Sequence, residues 1–151
     1  MSVLFNFRNG EFTTFAENKI TMSKTRRITP DGSNAVCPYL MVDSVEDQIK
    51  FLVNTLGAVV SNETKGNDGF IRHGEVRILD STVMMGRASK EYPARTSMNY
   101  IYVENTIEVH RRALQYGAVE LMAPDDRPYG VRESGVADPF GNQWWFAQLL
   151  Q

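Results

Sequence analysis

From Ala35 onward the chain switches between two hydrophobic periodicities. Val36 to Val42 is a nearly continuous apolar run, the pattern of a buried strand. Val45, Ile49, Leu52, Val53 and Leu56 then recur at helical spacing, which predicts a helix over 45–56. Ser44 is placed to cap its start and Gly57 to stop it. A strand over 58–62 follows, then a hairpin of 70–78 with 82–87 around Leu79-Asp80-Ser81. After that the order restarts. The pattern predicts a strand over 98–103, a helix over 106–116 stopped by Gly117, a strand over 119–122, and strands 131–137 and 143–149 as a hairpin.

The restart is an internal repeat. Val42-Asp43-Ser44 leads into a helix that ends at Leu56-Gly57-Ala58, and Val103-Glu104-Asn105 leads into one that ends at Tyr116-Gly117-Ala118. Each unit reads βαβββ, and neither can bury its sheet face alone, so the two are expected to pair in an α+β fold with the helices outside a curved sheet. Module one spans 35–90 and module two 97–151, together one domain over 35–151. Residues 1–34 read as an N-terminal arm, with a hairpin across Asn9-Gly10. Two readings of the arm stay open, a polar extension or a strand on a partner subunit, and Met22 is an alternative start.

Asp138-Pro139-Phe140-Gly141-Asn142 is turn chemistry, and Gln143 to Leu149 is an aromatic and apolar strand. The stretch from Gly130 through this turn to Trp145 resembles the signature end of the glyoxalase/bleomycin-resistance/dioxygenase (vicinal oxygen chelate) superfamily, closest to its PhnB-like branch. The resemblance covers roughly 35–151 and implies paired βαβββ modules forming an open barrel around a cleft. It also implies that metal-using members draw His, Gln or Glu ligands from the first, fourth, fifth and eighth strands. Carried over one at a time, those positions are Cys37, Met84, Met98 and Trp145. None is an imidazole or a carboxylate, and Trp offers only an N–H donor, so no metal and no cofactor are expected.

Other residues fill out the expected cleft. Tyr39 and Met41 alternate with Cys37, and Tyr100 and Tyr102 with Met98, which gives an aromatic wall carrying hydroxyls. His73, Glu75 and Arg77 alternate with Gly74, Val76 and Ile78, one polar and one apolar face. If the polar face looks into the cleft, Glu75 lies near Met84, and His73 with Glu75 is the candidate catalytic pair. His110 sits mid-helix and is expected to be solvated. Arg132, the last residue of an expected loop over 125–132, is either an anion-binding group for a ligand or an ion-pair partner of Asp125 or Glu133.

Charge and composition narrow the partners. The net charge of −2 gives no reason to expect nucleic acid or an anionic membrane. No apolar run approaches the ~20 residues of a membrane span. The N-terminus lacks the basic and apolar regions of a secretory signal, and a single cysteine suits a reducing cytoplasm. Two ligand-directed functions remain, beside a third reading in which the cleft is vestigial and the chain is an interaction module. One is a metal-free small-molecule binding protein, its ligand held by Cys37, Tyr39, Met84, Met98, Tyr100, Arg132 and Trp145. The other is a lyase, isomerase or dioxygenase working through a displaced metal or through His73 and Glu75. A homodimer is expected, because superfamily barrels are often completed by a symmetric partner.

Overall fold

A computed structural model describes residues 6–8, 11–13, 28–30 and 33–150. The first two segments are β1 (Asn6–Arg8) and β2 (Glu11–Thr13), an antiparallel pair with Arg8 opposite Glu11. Of the rest of the arm, residues 28–30, 33 and 34 are described, and the others, the Asn9-Gly10 turn included, lie outside the described residues.

Module one runs β3 (Tyr39–Val42), α1 (Val45–Leu56), β4 (Val59–Lys65), β5 (Ile71–Ile78) and β6 (Ser81–Arg87). Module two repeats the order with β7 (Met98–Tyr102), α2 (Thr106–Gln115), β8 (Val119–Arg127), β9 (Val131–Ala137) and β10 (Gln143–Leu149). The strand order is β3-β6-β5-β4 in one sheet and β7-β10-β9-β8 in the other. In each, the first and last strands of the module pair parallel and the rest antiparallel. The fold is therefore α+β, two βαβββ modules whose sheets are not closed into a barrel.

Local chemistry sets the helix ends. Ser44 Oγ accepts the backbone N–H of Asp47, and Asn105 Oδ1 accepts that of Glu108, so each helix begins on a side-chain cap. Gly57 closes α1 at φ 66°, a left-handed value that costs glycine nothing. The strands differ from the apolar pattern in both directions: β3 begins at Tyr39 rather than Val36, because Val36 is exposed and Cys37 precedes the pairing with β6, whereas β4 and β8 run past their expected ends. β4 continues to Lys65 although its seven residues are all exposed, because backbone pairing with β5 extends it. The expected loop over 125–132 is shorter, since Asp125 to Arg127 stay in β8, opposite Glu133 to Val131 of β9.

One core joins the modules. Leu40, Val42, Val76, Val83 and Met85 from the back of sheet one meet Ile49, Leu52, Val109 and Ala113 from the helices, and Val136, Trp144 and Phe146 from the back of sheet two. The two helices pack on each other. Gly74 shows how closely α1 lies on β5: a Cβ there would come within 2.9 Å of both Ile49 and Val45. The helix-bearing faces thus share one interior, and the helix-free faces stay open. Tyr39, Met98, Tyr100 and Tyr102 on those faces are all exposed.

Candidate functional site

Register decides which side chains share an open face, because Cα partners in a ladder point to the same side. On sheet one, Tyr39 is opposite Met84, Met84 opposite Glu75, and Gly86 opposite His73. These residues form the helix-free face of module one. Tyr39 Oη lies 3.1 Å from His73 Nδ1, and His73 Nε2 lies 3.0 Å from Glu75 Oε1.

On sheet two, Met98 is opposite Gln143, Tyr100 opposite Trp145, and Trp145 opposite Gly135. Trp145 lies along Gly135, where a Cβ would meet its ring at 3.0 Å. Trp144 points the other way and is fully buried, its indole N–H donating to Asp138 at 2.9 Å. The Tyr100 and Tyr102 rings meet edge to face, centroids 5.6 Å apart. Glu133, nearly buried, joins them from β9 and accepts Tyr129 Oη at 3.1 Å and Arg127 Nε at 3.2 Å. Burial, and then the hydrogen bond and charge of Glu133, push the Tyr100 phenol up to about 12. Burial and Glu133 raise Tyr129 as well.

The residues expected at the cleft therefore separate into groups. Tyr39, Met84, His73 and Glu75 stand together on sheet one, and Met98, Tyr100 and Trp145 on sheet two. Cys37 precedes β3, its thiol directed at the Asn34 carbonyl at 3.3 Å. Arg132 is on neither open face. It alternates with Glu133, points to the opposite side of β9, and forms two bonds to Asp126 at 2.7 and 3.0 Å. A cleft of about 680 Å³ runs between the Ile78–Ser81 turn and β7, with Met98 and Tyr100 in its wall and Trp144 at its floor.

His110 corrects the expectation of a solvated histidine: it is 4% exposed and held by Glu120 at 2.9 Å. Sequence reasoning offered Asp125 or Glu133 as the partner of Arg132, but Arg132 pairs with Asp126, and Glu133 instead holds Arg127 and Tyr129, two residues to which that reasoning gave no role. The signal for Glu133 was the alternation of 131–137, which puts it on the same face as Gly135 once the pairing with Trp145 is known.

The donor set does not fit a divalent ion. Cys37, Met84, Met98 and Trp145 supply sulfur and one indole, and His73 and Glu75 are bonded to each other. No group of three His, Cys, Asp or Glu side chains that could hold a metal occurs among the described residues.

The signature turn serves the scaffold. The buried Asp138 accepts Gln48 Nε2 from α1 at 2.9 Å, Trp144 Nε1 at 2.9 Å and Asn142 Nδ2 at 3.3 Å, besides two turn N–H groups. Asn142 returns a bond to Gln48 Oε1 at 3.1 Å and accepts the Ser97 N–H at 3.0 Å. The turn of module two is thereby bonded to the helix of module one.

Residues 33–146 match the family model of the Glyoxalase/Bleomycin resistance protein/Dioxygenase superfamily. The chain belongs to this superfamily. An uncharacterized protein of Mycobacterium bovis is 32% identical over 128 residues, covering 78% of this chain and 84% of its own. A Mycobacterium tuberculosis counterpart is also 32% identical, with 75% of its length covered. Among solved structures, TioX from Micromonospora sp. ML1 superposes with a TM-score of 0.68 at 22% identity, over 78% of this chain and 99% of TioX. The PhnB protein from Bacillus cereus gives 0.63 at 15% identity, over 76% and 99%. Both structural likenesses concern the fold alone. No helix among the described residues is long and apolar enough to cross a membrane.

Proposed function

We propose that the chain is a binding protein for a flat, partly polar organic molecule, acting without a metal and held as a homodimer. The observation that carries this reading is the open face of sheet two. Met98 is 68% exposed, Tyr100 46% and Tyr102 57%, with Trp145 beside them and no helix above. Contiguous exposed rings of this kind mark recognition surfaces, where aromatic area supplies affinity and a few polar groups set orientation. The open face of sheet one carries Tyr39 and Met84 and looks away from the shared core. A second copy, placing its sheet one against this sheet two, would complete a cleft that one chain leaves as two halves. Cys37 and Arg132 stand outside this face, so Tyr39, Met84, Met98, Tyr100 and Trp145 are the ligand contacts proposed. The N-terminal arm, residues 1–34, is proposed as an additional contact with the partner copy, and the cytoplasm as the compartment.

Intrinsic tryptophan fluorescence tests the reading. Planar aromatic compounds are expected to quench it on binding. Trp145→Ala is expected to weaken them by about 1–3 kcal/mol, the scale of one large buried side chain. Unchanged affinity with the fold intact would refute the placement of the ligand.

A second reading, acid–base catalysis on the same ligand, is favoured by the contact between His73 and Glu75. Such a pair holds an imidazole in one tautomer, as a general base requires.

A further inference from the structure

Sheet one carries a hydrogen-bonded chain that an aromatic binding face does not need. Tyr39 Oη meets His73 Nδ1 at 3.1 Å, and His73 Nε2 meets Glu75 Oε1 at 3.0 Å. One tautomer serves both contacts. A proton on Nε2 is donated to Glu75, which leaves Nδ1 to accept the phenol proton. Asn62 Nδ2 approaches the same carboxylate oxygen at 3.5 Å from β4. The sequence hydroxyl, imidazole, carboxylate is the arrangement that activates an oxygen by giving its proton somewhere to go.

The backbone is shaped for the contact. A Cβ at Gly86 would come within 2.9 Å of Tyr39 Oη and 3.0 Å of its ring, so glycine at this point in β6 lets the phenol lie across the strand. The Tyr39 and His73 rings are 5.8 Å apart and tilted by 34°. Tyr39 is 52% exposed, whereas the His73 and Glu75 side chains are 28% and 22% exposed behind it. The chain therefore ends in the phenol on the open face.

The geometry points to Tyr39 as the proton-transfer group of this face, with His73 as the base behind it and Glu75 as the residue that positions His73. This deepens the acid–base reading of His73 and Glu75 and rests on it, by supplying the atom that meets the bound molecule. That molecule gives a proton from an O–H, or from a C–H beside a carbonyl, to Tyr39 Oη. The phenol's own proton passes to His73 Nδ1. The resulting imidazolium stays paired with the Glu75 carboxylate, and the reverse transfers restore the start. No electron acceptor is needed. The substrate class is a weak carbon or oxygen acid, small enough to lie flat on the sheet.

Acetylation by N-acetylimidazole reads the same proton transfer without any ligand. The phenol oxygen attacks the acetyl carbon as its proton passes to His73; the bond from that carbon to the reagent's ring nitrogen then breaks, and the departing imidazole takes the proton back from His73. Peptide mass spectrometry gives the rate at Tyr39 and, as internal control, at Tyr92, which is 62% exposed. Tyr39 is expected to react about ten-fold faster than Tyr92, modest beside the 10²–10⁴-fold typical of general bases because the site is open. His73→Gln can accept a hydrogen bond but cannot take a proton, and should bring Tyr39 down to the rate of Tyr92. Glu75→Gln keeps an acceptor without the charge and should give an intermediate rate. Equal rates at Tyr39 and Tyr92 in the unaltered protein would overturn the proposal. So would an undiminished Tyr39 rate in His73→Gln with its circular dichroism unchanged. If that variant does not fold, an undiminished rate in Glu75→Gln overturns it instead. A failed ligand screen leaves these rates untouched, so the two proposals fail separately.

Discussion

Asp138→Asn tests what the signature turn does for the fold. Asp138 Oδ2 receives Gln48 Nε2, Trp144 Nε1 and Asn142 Nδ2 at 2.9, 2.9 and 3.3 Å. Its Oδ1 receives the backbone N–H groups of Phe140 and Asn142, both at 2.9 Å. An amide of the same shape turns one of those oxygens into a donor. Whichever way it is oriented, at least two donors lose their acceptor in a site where Asp138 is 4% exposed. Each orphaned buried donor costs about 1–3 kcal/mol, so a loss of about 2–5 kcal/mol is expected. Urea unfolding followed by far-ultraviolet circular dichroism measures it. With a slope of about 1–3 kcal/mol/M, the midpoint should fall by about 1–3 M at unchanged slope. Gln48→Leu removes the donor from the other module, and the double variant should show strong coupling between the two sites. A loss under about 1 kcal/mol in Asp138→Asn, or additivity with Gln48→Leu, would refute the idea that this carboxylate ties module two to α1.

Two further outcomes follow from single contacts. Gly74→Ala should destabilise the protein by about 1–3 kcal/mol, because its Cβ would press on Ile49 and Val45 at 2.9 Å and α1 would have to shift; thermal melts check this. In a spectrophotometric titration, Tyr100 should ionise only near about pH 12, and Glu133→Gln should move it back toward 10. Because its folded value is raised, its contribution to stability is complete below pH ~10 and is lost as pH rises through the folded value.

Much of the scaffold was legible in the chain because two periodicities state it. The spacing of Val45, Ile49, Leu52 and Leu56 gave α1 between Ser44 and Gly57, and the repeat of helix and stop gave the second module. Alternation separated Trp144 from Trp145, and one is in the core while the other lies on the open face. Alternation was less informative at β4, where all seven residues are exposed and only backbone pairing makes the strand. His110 was misjudged because a helical wheel does not contain β8, and Glu120, its partner, comes from there. The bond between Asp138 and Gln48 spans 90 residues and joins the two modules. A polar residue on the apolar face of α1 was its one trace in the sequence. The candidate site was harder to read than the fold. Strand order fixes that Arg132 points away from Trp145, and the run from Asp125 to Arg132 reads as a loop until β8 is seen to extend through Arg127.

The central claim, a ligand cleft built from sheet one of one copy and sheet two of another, is tested most directly by mixing two defective chains. Tyr39→Ala impairs only the first half of each cleft and Trp145→Ala only the second. Each variant alone is expected to bind an aromatic ligand weakly. Unfolded together and refolded, they should regain tight binding, because a mixed dimer pairs the intact sheet one of the Trp145→Ala chain with the intact sheet two of the Tyr39→Ala chain. Isothermal titration of the mixture against the separately refolded variants reads the number of tight sites. Recovery of tight sites in the mixture alone is the predicted result. No recovery, with mixed dimers confirmed by native mass spectrometry, would contradict a cleft shared between copies.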